Sequence, residues 1–330
     1  MNGSGPEGIL RLAQSFMESR ILLSGAELNL FTILGRTPLS AREAASRIGV
    51  DLRAITILLD ALASMGLLIK RDQTYQCDSS ISPYLAEDSP ISILPMLLHV
   101  ATLWTRWSAL TDILQGHIPS KEAARFFRSA EELRAFIGAM HVAAAPLASR
   151  IVAEADPGSS KILLDVGGGS GTYTIAFLRA VPGMKATLFD QPEVIEMARE
   201  RLTNEGLLDR VCLVAGDFYR DELPPGHDLA LISAVIHQNS HDQNLDLFSK
   251  MFRSLNRGGR ILVRDHVMEP DRIHPKDGAI FAVNMLLGTP GGGTYTYEEI
   301  EASLKQAGFA RVRLLKKGEH MDALIEGFKP

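Results

Sequence analysis

The chain has 330 residues, 46% of them hydrophobic and 22% charged, with a net charge of −5. That length calls for one large domain or two ordinary ones, because single cores stop growing near about 250–300 residues. The negative balance argues against electrostatic capture of nucleic acid. Only Cys77 and Cys212 occur, in no CxxC pairing. They offer neither a zinc site nor a disulfide framework and suit a reducing cytoplasm. The opening MNGSGPEGILRLAQSF lacks a basic region followed by a long apolar core, so no signal peptide is expected.

From Ile9 to about Ala155 the apolar spacing is helical. Ile9, Leu12, Phe16, Ile21 and Leu22 fall near one stripe, followed by Leu28, Leu30 and Phe31. Ser40 is placed to cap a helix that Gly49 ends, and Asp51 a second that Gly66 ends. LLIKRDQTYQCD then reads as a small hairpin, which completes the plan of a winged helix over residues 1–90. Its expected recognition helix, DLRAITILLDALASMG, has Arg53 as its sole basic residue, so no nucleic-acid partner is expected.

A helical region over residues 91–157 follows. Its most apolar stretch, ISILPMLLHVATLW, is interrupted by Pro95 and His99. It falls short of the ~20 residues a membrane span needs, so a buried helix and no membrane partner are expected. Trp104 and Trp107 read as core or inter-domain packing. ADPGSS then leads into a third region, residues 158–330.

From Lys161 the period changes. KILLDV, KATLFD, RVCLVAGD, LALISAV and RILVRDHV are short strand-like runs separated by helical segments, which calls for a parallel sheet with helices on both faces. At the end, ARVRLLKKG and HMDALIEGFKP follow one another with no helix between them. Two consecutive strands need an antiparallel hairpin, so the last strand is expected to enter the sheet reversed.

The stretch LLDVGGGSGTYT joins a strand ending in Asp165 and Val166 to a helix starting near Thr172, through Gly167, Gly168, Gly169 and Gly171. Glycines permit positive φ and close approach, and the helix N-terminus presents free N–H groups, so the turn predicts a nucleotide-type cradle. Thr172 stands where a dinucleotide fingerprint needs glycine, and no Walker lysine follows, which points away from NAD and ATP. Asp190 ends the next strand, where a carboxylate can accept both ribose hydroxyls of an adenosine ligand. Asp217 follows the third strand, and Phe218 is placed to lie against an adenine ring. All three features fall on one edge of the predicted sheet.

Together these stretches resemble the two-domain class I S-adenosylmethionine O-methyltransferases: plant caffeate-type enzymes, acetylserotonin O-methyltransferase and bacterial natural-product methyltransferases. LLDVGGGSGTYT, FDQP, AGDFY and the final hairpin carry the resemblance in the catalytic half; SRILLSGAELNLF and the winged helix carry it in the other. The resemblance implies an α/β fold: a Rossmann-like, seven-stranded, mostly parallel sheet with a reversed last strand, preceded by a mainly helical winged-helix dimerisation domain. It implies S-adenosyl-L-methionine as cofactor, a small-molecule acceptor, and homodimers built through the N-terminal helices. It also implies cofactor contacts from Asp165, Gly167, Gly168, Gly169, Gly171, Asp190, Gln191, Gly216, Asp217, Phe218 and Ser233.

The methyl of such a cofactor is an electrophile, so positioning supplies much of the acceleration. A hydroxyl of pKa near ~10 must also lose its proton, and an imidazole, ordinarily near ~6.5, suits that task. His237 follows the fourth strand at the same edge, where the family places its base. Asp265 ends the fifth strand, matching the carboxylate that holds the imidazole by its other nitrogen and fixes its tautomer. His241 reads as a surface or capping residue.

Four positions depart from the pattern. Gln238 and Asn239 follow His237 where many relatives carry Asp and Trp, Thr294 stands where a second carboxylate would flank the base, and Ser233 replaces a plant lysine near the adenine. The same cofactor could therefore serve S-, N- or C-methylation or a non-methylating reaction. By position in the family, Met140, His141, Asn284, Met285 and Tyr295 join His237 as substrate-facing residues. The three glycines of TPGGGT predict a mobile lid. No cluster has metal-ligand spacing, and no metal is expected.

Overall fold

The computed structural model describes residues 5–117 and 129–330. It divides into two compact units, Met1–Trp104 with Ala130–Val142, and Thr105–Ser129 with Ala143–Pro330.

The first unit opens with helices α1 (Pro6–Gln14), α2 (Phe16–Glu27) and α3 (Leu30–Arg36). Strand β1 (Leu39–Ser40), α4 (Ala41–Ile48), α5 (Leu52–Ser64), β2 (Leu68–Arg71) and β3 (Thr74–Cys77) form the predicted winged helix. The caps are where the residue types place them. Ser40 accepts from the Glu43 N–H in a capping box, Gly49 ends α4 at φ 72°, and Asp51 accepts from the Ala54 N–H at 2.8 Å. Leu30, Phe31, Leu34, Ile55, Leu59, Leu62 and Tyr75 form the core, each buried apolar side chain contributing about 1.5–3 kcal/mol. A short α6 (Ser82–Leu85) and a long α7 (Leu94–Ser108) follow.

The first stripe reads differently in the structure. Helix α1 buries none of its residues, and Ile9, Leu10 and Leu12 are more than half exposed. Its apolar face is real, but nothing among the described residues covers it.

After α8 (Leu110–Leu114), helix α9 (Ala130–Ala155) passes from the first unit into the second. By length and composition it could cross a bilayer, yet Ile137, Ala139, Ile151, Val152 and Ala155 are buried in protein. The second unit then alternates as predicted: β4 (Ile162–Val166), α10 (Thr172–Ala180), β5 (Lys185–Asp190), α11 (Pro192–Asn204), β6 (Val211–Ala215), β7 (His227–Ser233), α12 (His241–Ser254) and β8 (Leu255–Asp265). A two-residue strand β9 (Val267–Met268) leads to α13 (Lys276–Gly288), β10 (Tyr295–Thr296), α14 (Tyr297–Gln306), β11 (Ala310–Lys316) and β12 (Ala323–Phe328).

Seven of these strands make one sheet in the order β11-β12-β8-β7-β4-β5-β6. Strand β12 runs antiparallel to both neighbours, with Ala323 opposite Asp265 and Phe328 opposite Arg260, which is the reversed last strand. Leu163, Leu229, Leu231 and Leu262 pack under α9 and α10 on one face, while Ile232, Ile261, Val263 and Ile325 meet α12 and α14 on the other. The parallel pair β9–β10 was not foreseen; it joins the end of β8 to the glycine-rich segment before α14.

Candidate active site

The carboxyl ends of β4, β5, β6, β7 and β8 lie along one edge of the sheet, where open α/β folds hold their ligands. After Val166 the backbone turns through Gly167, Gly169 and Gly171 at φ 68°, 56° and 82°, a region that side chains rarely adopt. Gly168 serves close approach instead, since a Cβ there would stand 2.7 Å from Leu188 Cγ. A Cβ on Gly169 would meet nothing within 4 Å, so the loop is open on that side.

Asp190 faces this loop. Its Oδ2 accepts from the Gly169 N–H at 2.8 Å and its Oδ1 from the Gln191 N–H at 2.7 Å, while burial pushes its carboxyl above the ordinary value. Asp165 is buried at the end of β4 and accepts from the Thr174 hydroxyl at 2.6 Å. Burial raises its pKa to about 6. Beyond β6, Gly216 donates to the Asp190 carbonyl at 2.9 Å. The Asp217 carboxylate accepts from the Tyr219 N–H at 2.9 Å, the part of a turn residue. Phe218 Cε1 lies 3.8 Å from where a Gly167 Cβ would stand, so its ring walls the loop. A side-chain-free cradle, an acidic strand end and an aromatic wall fit an adenosyl group.

His237 sits in a single helical turn, Ile236–Gln238, directly after β7. Its Nδ1 lies 2.9 and 3.0 Å from the two oxygens of Asp265, and its side chain keeps 12% of its surface. Burial alone would raise the Asp265 carboxyl. The His237 ring, the bond to it and the His266 N–H outweigh burial and hold the carboxyl below its ordinary value. Phe281 of α13 meets the His237 ring edge-on at 4.8 Å.

The turn is fastened from behind. Asn239 is fully buried; its Oδ1 accepts from the Tyr219 hydroxyl at 2.5 Å and its Nδ2 donates to Asn244 Oδ1 at 3.0 Å. Asn244 donates in turn to the Ile236 carbonyl at 2.9 Å, and the Tyr295 hydroxyl donates to the Asn239 carbonyl. Gly293 donates to the His237 carbonyl at 2.8 Å.

Comparison with known proteins agrees with this geometry. A model described as an O-methyltransferase dimerisation domain matches residues 10–81, and one described as an O-methyltransferase domain matches residues 123–310. The chain belongs to the O-methyltransferase family. This O-methyltransferase is 31% identical to the tetracenomycin polyketide synthesis 8-O-methyl transferase of Streptomyces glaucescens, over 99% of this chain and 97% of that protein. It is 29% identical to the 3-hydroxy-5-methyl-1-naphthoate 3-O-methyltransferase of Streptomyces sahachiroi, over 94% and 91%. Human N-acetylserotonin methyltransferase, solved in complex with S-adenosylmethionine, superposes with a TM-score of 0.85 at 26% identity, over 100% and 99% of the two chains. The enzyme is accordingly an S-adenosylmethionine-dependent methyltransferase.

Several residues of the methyltransferase lie other than expected. Tyr295 is buried with its hydroxyl engaged by Asn239, so it braces the His237 turn instead of covering an opening. Met285 is likewise buried. Asn284 accepts from Trp107 Nε1 at 3.1 Å, and Trp107, read as core or inter-domain packing, is 37% exposed. Met140 and His141 are half-buried on the part of α9 that belongs to the first unit. His241 is a surface residue at the start of α12, 59% exposed, as expected. In the TPGGGT segment the Gly293 N–H donates to the His237 carbonyl, and the Gly292 N–H donates within the segment to Thr289 Oγ1 at 2.8 Å. Thr294 is buried and its carbonyl accepts from Arg272, leaving Asp265 to hold the imidazole. Ser233 accepts from Arg264 Nη1 at 3.1 Å, a partner that the sequence reading missed. Among the described residues, no group of three or more His, Cys, Asp or Glu side chains is placed to hold a metal ion.

Proposed function

We propose that the enzyme methylates a hydroxyl of a small aromatic molecule, with His237 as general base and Asp265 as the group that orients it. The observation that carries this is the double contact between His237 Nδ1 and Asp265. A proton on Nδ1 directed at a buried carboxylate leaves Nε2 as the acceptor, and Nε2 has no protein partner among the described residues. A base of that kind is what a phenolic acceptor needs, and the named relatives act on naphthoate, polyketide and acetylserotonin compounds.

S-adenosylmethionine, when bound, supplies an electrophilic methyl carbon. The chain's own residues do the rest. The glycine loop and Asp190 hold the nucleoside, Phe218 lines it, and His237 takes the hydroxyl proton as the acceptor oxygen becomes nucleophilic. Asp265 stabilises the imidazolium that results. The dimerisation segment, together with the exposed apolar face of α1, supports a homodimer, and the two unpaired cysteines suit a cytoplasmic enzyme.

The test pairs cofactor binding with turnover. Purified enzyme is expected to bind S-adenosylhomocysteine and to methylate members of a phenol panel. His237→Ala should retain binding and lose about 10²–10⁴ in kcat. Full turnover in that variant would remove His237 from the mechanism and favour an acceptor that arrives already deprotonated.

A further inference from the structure

We propose that Arg264 reads a carboxylate, the one at the methionyl end of S-adenosylmethionine, and so selects the intact cofactor. The proposal rests on the cofactor reading above. Arg264 is the penultimate residue of β8, next to Asp265, so its side chain leaves the sheet on the opposite face from the base's partner. It is 4% exposed. Nη1 donates to Ser233 Oγ at 3.1 Å, and the guanidinium lies 5.5 Å from the centre of the Tyr173 ring.

The rest of the guanidinium has no protein acceptor among the described residues. Its Nε is buried without a hydrogen-bond partner, and the buried Tyr173 hydroxyl stands beside Ser233. The two carboxylates that face Tyr173 are held elsewhere. Asp165 receives the Thr174 hydroxyl, and Asp322 receives Arg150 at 3.2 Å and Lys316. A buried cation with no anion is costly, and the fork formed by Nε and Nη2 has the geometry that meets a carboxylate bidentately.

The position suits the ligand. Asp190 ends β5, the glycine loop follows β4, Ser233 ends β7 and Arg264 lies on β8, four neighbouring strands in that order. Three strand spacings are on the order of 14 Å, and the arginine side chain reaches back across part of that span. A ligand with its ribose at Asp190 and its sulfur over the glycine loop extends its amino-acid end towards β7 and β8.

The test uses calorimetric binding of two ligands to the full-length enzyme: S-adenosylhomocysteine, and its decarboxylated analogue, which keeps the amine. The wild-type enzyme should prefer S-adenosylhomocysteine by about tenfold or more. Arg264→Met should lose that preference by weakening S-adenosylhomocysteine alone, and Arg264→Lys should restore part of it. Equal weakening of both ligands would make Arg264 structural and overturn the proposal. An unchanged cofactor affinity with a raised KM for a carboxylate-bearing acceptor would overturn it too, by assigning the fork to the acceptor. Should Arg264→Met fail to fold, a wild-type enzyme that binds both ligands equally is sufficient to reject it. A wild-type enzyme that binds neither ligand would instead defeat the cofactor reading itself.

Discussion

His237 Nδ1 touches both oxygens of Asp265, at 2.9 and 3.0 Å, and Asp265 is 1% exposed in its side chain. The carboxylate therefore decides which imidazole nitrogen carries the proton. Asp265→Asn keeps the shape but removes the charge that stabilises the protonated ring. The expected result is a kcat loss of about 10²–10⁴, with S-adenosylhomocysteine affinity within about twofold of wild type. The pH–rate profile should also move, because the base loses its anionic partner. A variant with wild-type kcat and an unshifted profile would show that the pair does not serve the reaction.

Asn239 explains the departure from the sequence pattern of many relatives. A side chain that is fully buried and bonded to Tyr219 and Asn244 is a hub for the turn that presents His237. Burial pushes Tyr219 up to about 12, so its hydroxyl stays a donor throughout the working range. Asn239→Ala strands the buried Asn244 amide, at about 1–3 kcal/mol, and removes the acceptor of the half-exposed Tyr219 hydroxyl. Lower stability in chemical denaturation and a reduced kcat are expected together. If Asn239→Ala loses stability but keeps its kcat, the hub does not position the base.

Gly292 fills a gap that tolerates no side chain. A Cβ there would fall inside contact distance of the His237 carbonyl and stand 2.9 Å from the Gln238 carbonyl carbon. Gly292→Ala should displace the turn and lower kcat about 10–10² fold, in line with the cost of a small misplacement of reacting groups. Gly293→Ala, where a Cβ meets nothing within 4 Å, is the matched control. Equal activity in the two variants would argue that the segment does not buttress His237.

Much of this was legible because backbone conformation limits residue choice. Positive φ at positions 167, 169 and 171 and close packing at 168 call for glycine, so the cradle is visible as letters. Asp190 and Asp265 were visible because strand ends are easy to place once the strand–helix rhythm is read. The Asn239 hub was not, since its partners Tyr219, Asn244 and Tyr295 come together only through tertiary packing. Arg264 looked like one more residue of a core strand, and only its missing partner distinguishes it. The apolar stripe of α1 was read correctly as a stripe, but periodicity does not reveal which surface covers it.

Asp165 and Asp265 are both buried strand-end carboxylates, and their surroundings push them in opposite directions. Burial, helped by the negative Asp190 nearby, outweighs the one hydroxyl donor of Asp165, so its folded pKa rises from 3.8 to about 6. Between those values the folded state holds a proton that the unfolded state has released. Stability from this group therefore falls as pH rises through that window, by up to about 3 kcal/mol at neutral pH. Asp265 lies below its ordinary value, so its contribution is present above the unfolded pKa and is lost as pH falls through the folded one. Asp165→Asn keeps an oxygen for the Thr174 hydroxyl and removes the buried charge. It should be about 1–3 kcal/mol more stable than wild type at pH 7.5, with the gap closing towards pH 4. Asp265→Asn should be less stable at pH 7.5, with its deficit shrinking in acid. Urea titrations of both variants across that range measure the two slopes, and parallel pH curves would show that neither carboxylate titrates as its surroundings require.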